Sequence, residues 1–526
     1  MTILSRRPRG RLLSIMSIVA IAAGSSTGCG GDSKPSGAAD PANLVPASAS
    51  AYLAITVRPE GQTKANAERV AKALLGTDAL GQAALELLGT KAGGLRGLSF
   101  EKDVDPWLGN RVAVALTAND ASENDLLLVA ASRDDDKARD ALEKSARLPG
   151  EATFREVDYR RAANGSAAGA VLKGAVVLGS ERAVQGAIAA VADDSVLGGA
   201  ARYSAAIGEL PPEGVATAYL DVSAVAEAIG GLLGGGETAR LLKPVLSAQG
   251  DVIAARVSAG RDEIRIEAVG TGTGAGIAAV QAQGGASHAI RTLPADSWLA
   301  LGISDVGKTV GVLLDGVASA GGLDAIGLNL VLSQIESSTG LNLRDDVLAW
   351  MGAGGLFVRG TRSGEVSGAL VVRSKDPAAT RRALRKLRRS LDGLPGGARP
   401  RPLAAAGADE GVVLTLGDLR LELAAAGERF VIAVGKGALA AAINPKAELK
   451  DAPGFKRAEQ RLGDDLNAGF YVDLPQVADL IDRSGGGQDG ASLLAGVLRR
   501  MTQVAGGGKQ DGDVSRVRIV AGVKQP

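Results

Sequence analysis

The feature that most constrains this chain of 526 residues is that its second half repeats the order of features in its first. Leu44–Val57 reads LVPASASAYLAITV, and Thr292–Val306 reads TLPADSWLALGISDV. Leu98–Gly109 (LSFEKDVDPWLG) is matched by Leu341–Gly352 (LNLRDDVLAWMG), which aligns Trp107 with Trp350. Asp125–Lys144 is then matched by Gly368–Lys386, Ala175–Ala190 by Phe430–Ile443, and Ala216–Val225 by Ala468–Val477. Each copy closes on apolar runs, Val252–Gly270 and Asp513–Val523. The spacing between matched positions stays nearly constant, as with Trp107 and Trp350 or Leu142 and Leu384. Each copy is far longer than the ~20–50 residues of a solenoid repeat. The pattern therefore predicts two whole domains, 44–270 and 291–523, joined by a Gly-rich linker at 271–290.

Within each copy the residues predict an α+β fold, a mixed or antiparallel sheet with helices packed on it. Runs such as Ala51–Val57, Val112–Leu116, Leu126–Ala131 and Val171–Leu178 are rich in β-branched residues and half-alternating, as strands are. Lys173-Gly174 interrupts the last of these as a tight hairpin turn would. Asp134 stands as an N-cap before Asp135 and Asp136, with Lys144 and Arg147 towards the far end, a charge order that suits the helix dipole. In the second copy Asp376 caps and Pro377 falls at the first helical position, where its missing N–H costs nothing. The alternation of strands and helices is too irregular for a doubly wound parallel sheet.

Upstream of the repeats, Arg6, Arg7, Arg9 and Arg11 precede an apolar stretch from Leu12 to Ala23, and small residues lead to Cys29, the only cysteine. The apolar stretch is shorter than the ~20 residues that span a bilayer, and its flanks are those of a cleaved signal. Residues 1–28 read as a lipoprotein signal peptide and Cys29 as the lipidated residue. Thr27 and Gly28 fit that pattern, while Ser26 stands where an aliphatic residue is usual. Ser5-Arg6-Arg7 leaves the export route open between the general secretory and twin-arginine systems. Residues 29–43 are rich in Gly, Ser and Pro and read as a flexible tether. The expected location is the extracytoplasmic face of the cell membrane, reached through a lipid anchor.

The opening block, the tryptophan block and the Tyr219-Leu220-Asp221-Val222 block together resemble a bacterial family of exported proteins classed as a domain of unknown function. The resemblance covers nearly all of the chain after the signal. It implies an exported, duplicated α+β architecture, and it brings no activity, substrate or catalytic residue with it.

Composition narrows the chemistry. Lys+Arg is 59 and Asp+Glu 58, without the basic surplus a dedicated nucleic-acid binder needs. A single cysteine leaves no internal disulfide. The single histidine, His288, reads as a solvated linker residue, and one His with one lipid-bound Cys excludes zinc, haem and iron–sulfur centres. No metal or other cofactor is expected. The G-x-S-x-G at Gly24–Gly28 lies in the signal, and the S-x-x-K at Ser99–Lys102 lacks its companion motifs and has Asn342 in place of Ser99 in the second copy. Gly270–Gly276 alternates glycine like a dinucleotide loop, but it follows a hairpin and no acidic residue stands about 20 positions on.

Three features remain as candidate sites. Asp103 and Asp105, with Asp345 and Asp346 in the second copy, form acidic pairs that a carboxylate-dependent hydrolase would use and that helix or turn capping explains as well. Trp107 and Trp350 suit sugar stacking or, as the usual role, an anchor beneath each sheet. Arg381, Arg382, Arg385, Lys386, Arg388 and Arg389 make one helix strongly basic, either a solvated face or a face for anionic lipid. The chain is therefore expected to be a non-catalytic binding or structural protein of the envelope, with a hydrophobic ligand or an envelope protein as partner. A carboxylate-dependent envelope hydrolase is the alternative.

Overall fold

In this computed structural model the described residues are 40–75, 99–120, 123–222, 251–271, 284–320, 333, 336, 337, 340, 342–362, 364–391, 400–405, 407–416, 419–483 and 489–525. Cys29, the residues read as signal, most of those read as tether and positions 272–276 lie outside them. The chain is a mixed α+β protein that divides into two compact units. The first takes the described residues through Val222 and Val252–Ala268, and the second takes Val269–Lys524.

The first unit carries β1 (Ala49–Thr56), β2 (Leu108–Asp120), β3 (Glu123–Ser132), β4 (Gly150–Phe154), β5 (Val157–Arg161), β6 (Ala168–Leu172), β7 (Ala175–Gly179), β8 (Ala216–Asp221), β9 (Val252–Ala259) and β10 (Glu263–Thr271) as far as Ala268. They lie in the order β4-β5-β6-β7-β3-β2-β1-β8-β9-β10, with antiparallel registers from β4 through β9. Lys173 and Gly174 turn β6 into β7 with φ of 45° and 77°, the left-handed pair that a two-residue hairpin requires. Asp134 accepts from the Lys137 amide at 3.1 Å and starts the helix Asp135–Lys144, which closes at Ser145, short of the Arg147 expected from charge order. Ala138, Ala141 and Leu142 of that helix pack with Trp107, Leu128 and Leu178 in one buried cluster.

The second unit carries β11 (Ser297–Ile303), β12 (Met351–Arg359), β13 (Ser367–Ser374), β14 (Arg401–Pro402), β15 (Glu410–Leu416), β16 (Leu419–Ala426), β17 (Arg429–Val434), β18 (Ala468–Asp473), β19 (Met501–Asp511) and β20 (Val514–Val523). Their order is β14-β15-β16-β17-β13-β12-β11-β18-β19-β20, again with antiparallel pairing. Asp376 accepts from the amides of Ala378 and Ala379 and starts the helix Pro377–Leu391 with proline at its first position. Trp350 and Phe430 meet edge to face at 5.1 Å within a cluster that includes Leu384 and Val412.

Two expected boundaries move. Pro41–Leu44 forms a 3-10 turn capped by Asp40, with Ala42 and Leu44 buried, so folded structure begins inside the stretch read as tether. The linker read at 271–290 ends in a helix, Gly284–Arg291, whose Ala286 and Ile290 are fully buried. Small residues make that packing possible. A Cβ on Gly302 would overlap the Ala286 carbonyl, and one on Gly355 would press on the Ala289 carbonyl and the Leu293 side chain. The linker composition that reads as flexible is thus also the composition that lets a helix lie directly on a sheet.

Candidate functional site

The two tryptophans are structural. Trp107 is 1 % exposed and Trp350 5 %, so neither presents a face to a sugar or other ligand, which corrects the ligand-stacking reading of both. Each follows a short π-helical turn, Phe100–Val104 or Leu343–Leu348. Each indole Nε1 donates at 2.7 Å to a carbonyl four residues earlier, that of Asp103 or Asp346. The same aspartates accept from the amides of Ser99 at 2.8 Å and Asn342 at 2.9 Å, tying the start of the turn to its end. The hydrogen bond from Asn342 holds the Asp346 carboxyl below the usual carboxylate range. Asp105 pairs with Arg58 at 2.5 Å and Arg133 at 3.8 Å, and Asp345 is exposed on the turn. Asp103 and Asp346 therefore cap turns and Asp105 is an ion-pair partner, and none of the four acidic residues lines the described cavity.

The basic helix is largely neutralised by its own unit. Arg385 and Arg388 share Glu410 at 3.3 and 3.2 Å, Arg381 pairs with Asp409 at 3.5 Å, and Arg382 with Asp376 at 3.7 Å. Lys386 reaches Asp346 at 3.4 Å and the Gly340 carbonyl. Arg389 is exposed and has no ion pair among the described residues. The membrane-facing reading of this helix loses most of its free charge. His288 is exposed, as expected, but on the helix Gly284–Arg291 and not in a loop. Among the described residues no group of three or more His, Cys, Asp or Glu is placed to hold a metal. No described helix is long and apolar enough to cross a membrane.

A polar cavity of about 110 Å³ on the first sheet is the feature that residue patterns missed. Its construction follows from strand parity, since residues directly paired across antiparallel strands share a face. Tyr52, Ala54 and Thr56 alternate onto one face of β1. Thr56 is paired with Arg111 on β2, Ala54 with Thr217 on β8, and Thr217 in turn with Arg256 on β9. The helix Ala201–Gly208 lies over this face and adds Tyr203 and Ile207, one turn apart. Tyr203 packs edge to face on Tyr52 at 5.9 Å and on Tyr219 at 5.2 Å. Asp40 closes the rim and pairs with Arg111 at 3.2 Å, both side chains half-exposed. Arg256 is half-buried. Its Nε donates to Thr217 Oγ1 at 3.4 Å and its Nη1 to the Pro211 carbonyl. Burial makes its guanidinium hold the proton less tightly than usual.

The second unit has a sheet of the same strand order, and there the positions at matching register lack the polar groups. By strand register Tyr52 takes the position of Ala300 and Arg111 that of Ala353, while across from β18 the strand β19 carries the small residues Ala505, Gly506 and Gly507. Phe455 takes the place of Tyr203, packed edge to face on Tyr471 at 5.5 Å. The helix Gly284–Arg291 lies on that face at Gly302. A signal for the cavity was therefore present in the aligned opening blocks as Tyr52 against Ala300, but composition and motif searches do not weigh such a difference.

Burial pushes all five tyrosines of the chain above the usual phenol value: Tyr52, Tyr159, Tyr203, Tyr219 and Tyr471. Tyr203 is raised to about 12. A phenol whose folded value exceeds its unfolded value of ~10 contributes stability that is fully present below pH ~10. That contribution is lost as pH rises through the folded value, about 12 for Tyr203. In an ultraviolet titration, phenolate absorbance should appear at higher pH in the native chain than in the urea-unfolded chain. Coincident curves would contradict the burial of the phenols.

A family model described as a protein of unknown function (DUF3352) matches residues 11–394. No curated protein matches the sequence significantly. Among solved structures, crystal forms IV, III and I of TP0453 overlap 44 % of this chain and 79 %, 80 % and 78 % of their own, at 10 %, 11 % and 10 % identity. Their TM-scores of 0.27, 0.25 and 0.26 do not establish a common fold.

Proposed function

The chain belongs to DUF3352, a family of proteins of unknown function, and on the evidence of its own residues we propose that it is a membrane-anchored extracytoplasmic lipoprotein with a non-catalytic binding or structural role in the cell envelope. The observation that carries the non-catalytic reading is the use made of the acidic pairs. Asp103 and Asp346 each cap a π-helical turn before a tryptophan, and Asp105 is held by two arginines. The hydrolase alternative needs two carboxyl groups ~5–10 Å apart across a cleft, and the described cavity is lined by one, Asp40, already paired with Arg111. A cavity of about 110 Å³ is also well below the ~300 Å³ at which sites for drug-sized ligands begin. Together with its polar lining, that size supports a small polar ligand over a hydrophobic one. We read the two units as copies of one domain, supported by the matching strand order and by the paired tryptophan turns.

The anchor rests on the basic, apolar and small-residue sequence that ends at Cys29. A diacylglyceryl group there would supply two chains, enough for stable attachment. A Cys29→Ala variant is expected to move from the membrane fraction to the soluble fraction after cell lysis, and persistent tight membrane attachment would overturn the anchor. The binding role is tested by native mass spectrometry of the full chain purified from its own envelope. A reproducible extra mass released on denaturation supports it, and a bare chain argues for a structural role.

A further inference from the structure

The cavity on the first sheet carries one positive charge more than it neutralises. Of its three charged residues, Asp40 is committed to Arg111 at 3.2 Å. Arg256 has no ion pair among the described residues, and its contacts to Thr217 and Pro211 use Nε and Nη1 only. A guanidinium presents five donors in a planar fork, and Nη2 makes no hydrogen bond among those of Arg256 to Thr217 and Pro211, so it can offer donors to a ligand in the cavity that Arg256 lines. We propose that this cavity binds a small carboxylate monoanion, held by the Arg256 guanidinium and the phenols of Tyr52 and Tyr203.

Three observations favour that class. A volume of about 110 Å³ has room for several waters, and so for an anion of acetate size. A planar carboxylate matches the guanidinium fork. The net charge of the lining residues, with Asp40 on the rim, suits one negative charge better than the two of phosphate. The second unit adds an independent argument, because a sheet face of the same strand order folds with Ala300, Ala353 and Phe455 where the first has Tyr52, Arg111 and Tyr203, and its strand β19 carries Ala505, Gly506 and Gly507 and no arginine there. The fold does not need these polar groups, and a half-buried unpaired cation costs it stability. The proposal deepens the binding reading and rests on it, but it does not depend on the anchor.

The test is calorimetric titration of the detergent-solubilised full chain with acetate, with its neutral isostere acetamide and with inorganic phosphate, in a buffer whose anion is too bulky for the cavity. Acetate is expected to bind, with acetamide and phosphate at least about tenfold weaker, the scale of one charge-assisted hydrogen bond. Arg256→Met should weaken acetate at least about tenfold. Tyr203→Phe, which installs the residue type of the second unit, should weaken it several-fold while folding normally. Arg389→Gln, at an exposed cation of the second unit, should leave it unchanged. No acetate binding, equal binding of acetamide, tighter binding of phosphate, or acetate affinity unchanged in Arg256→Met overturns the proposal. If Arg256→Met does not fold, unchanged affinity in Tyr203→Phe overturns it. A chain that ignores acetate yet retains a foreign mass in native mass spectrometry overturns the carboxylate and leaves the binding reading standing.

Discussion

Trp107→Ala is expected to destabilise the first unit by about 3–5 kcal/mol, the range for truncating a buried tryptophan. The side chain is 1 % exposed and packs within the cluster that joins Leu128, Leu142, Leu148 and Leu178. Its loss leaves a cavity that the strands of β2 and β3 cannot collapse into without breaking their register. The substitution also strips the Asp103 carbonyl of its indole donor. Trp107→Phe separates the two effects. It keeps most of the volume and gives up the hydrogen bond, so it should cost about 1–3 kcal/mol less than the alanine variant. The measurement is urea unfolding followed by circular dichroism, with calorimetry to resolve the two units where they unfold separately. Trp350→Ala should behave in the same way in the second unit, because its indole makes the same bond to Asp346 and packs on Phe430. A loss below about 1 kcal/mol, the level of a surface substitution, would show that these rings are not the anchors of their sheets.

Gly302→Val should destabilise the second unit by about 3 kcal/mol or more, at or beyond the upper end of ordinary overpacking. The position lies in β11 beneath the helix Gly284–Arg291, and any Cβ there collides with the backbone carbonyl of Ala286. A carbonyl in a helix cannot rotate away as a side-chain tip can. The helix must lift, which exposes the buried Ala286 and Ile290. The sign of the alanine variant is diagnostic. On strand propensity alone Gly302→Ala would stabilise by about 0.5–1 kcal/mol, whereas the steric argument predicts a loss of about 1–3 kcal/mol. Thermal unfolding of the two variants beside Ala54→Gly, at the matching position in the first unit, decides between them. Stabilisation by Gly302→Ala would mean that the helix does not seat on the sheet.

Much of the local structure could be read from residues. Asp134 and Asp376 cap helices where charge order and Pro377 placed them. Lys173-Gly174 turns a hairpin, because a two-residue connection needs two left-handed residues. Asp103 and Asp346, one acidic residue before each tryptophan, cap a turn, one of the two roles their position allowed. The paired blocks anticipated strands in both halves, and each half carries ten of the named strands in a mixed α+β arrangement. Reading failed where composition stood in for packing. The glycine-rich stretch before Arg291 looked like a linker, and part of it is a helix that close contact with Gly302 and Gly355 requires to be small. The basic helix looked free, and its partners Asp409 and Glu410 lie on a later strand or its approach, too far along the chain for helix spacing to reveal.

The sequence by itself determined the α+β character and the caps and turns, and it is the sole ground for the proposed leader ending at Cys29. All of these depend on residue identity or on spacings of a few residues. Only the tertiary structure decided what lies on a common face. Arg111, Tyr203 and Arg256 are far apart along the chain, and they line one cavity because three antiparallel pairings and one helix bring them there. Strand register is a long-range property, set by which strands pair, and a shift of one residue would turn each of these side chains to the opposite face.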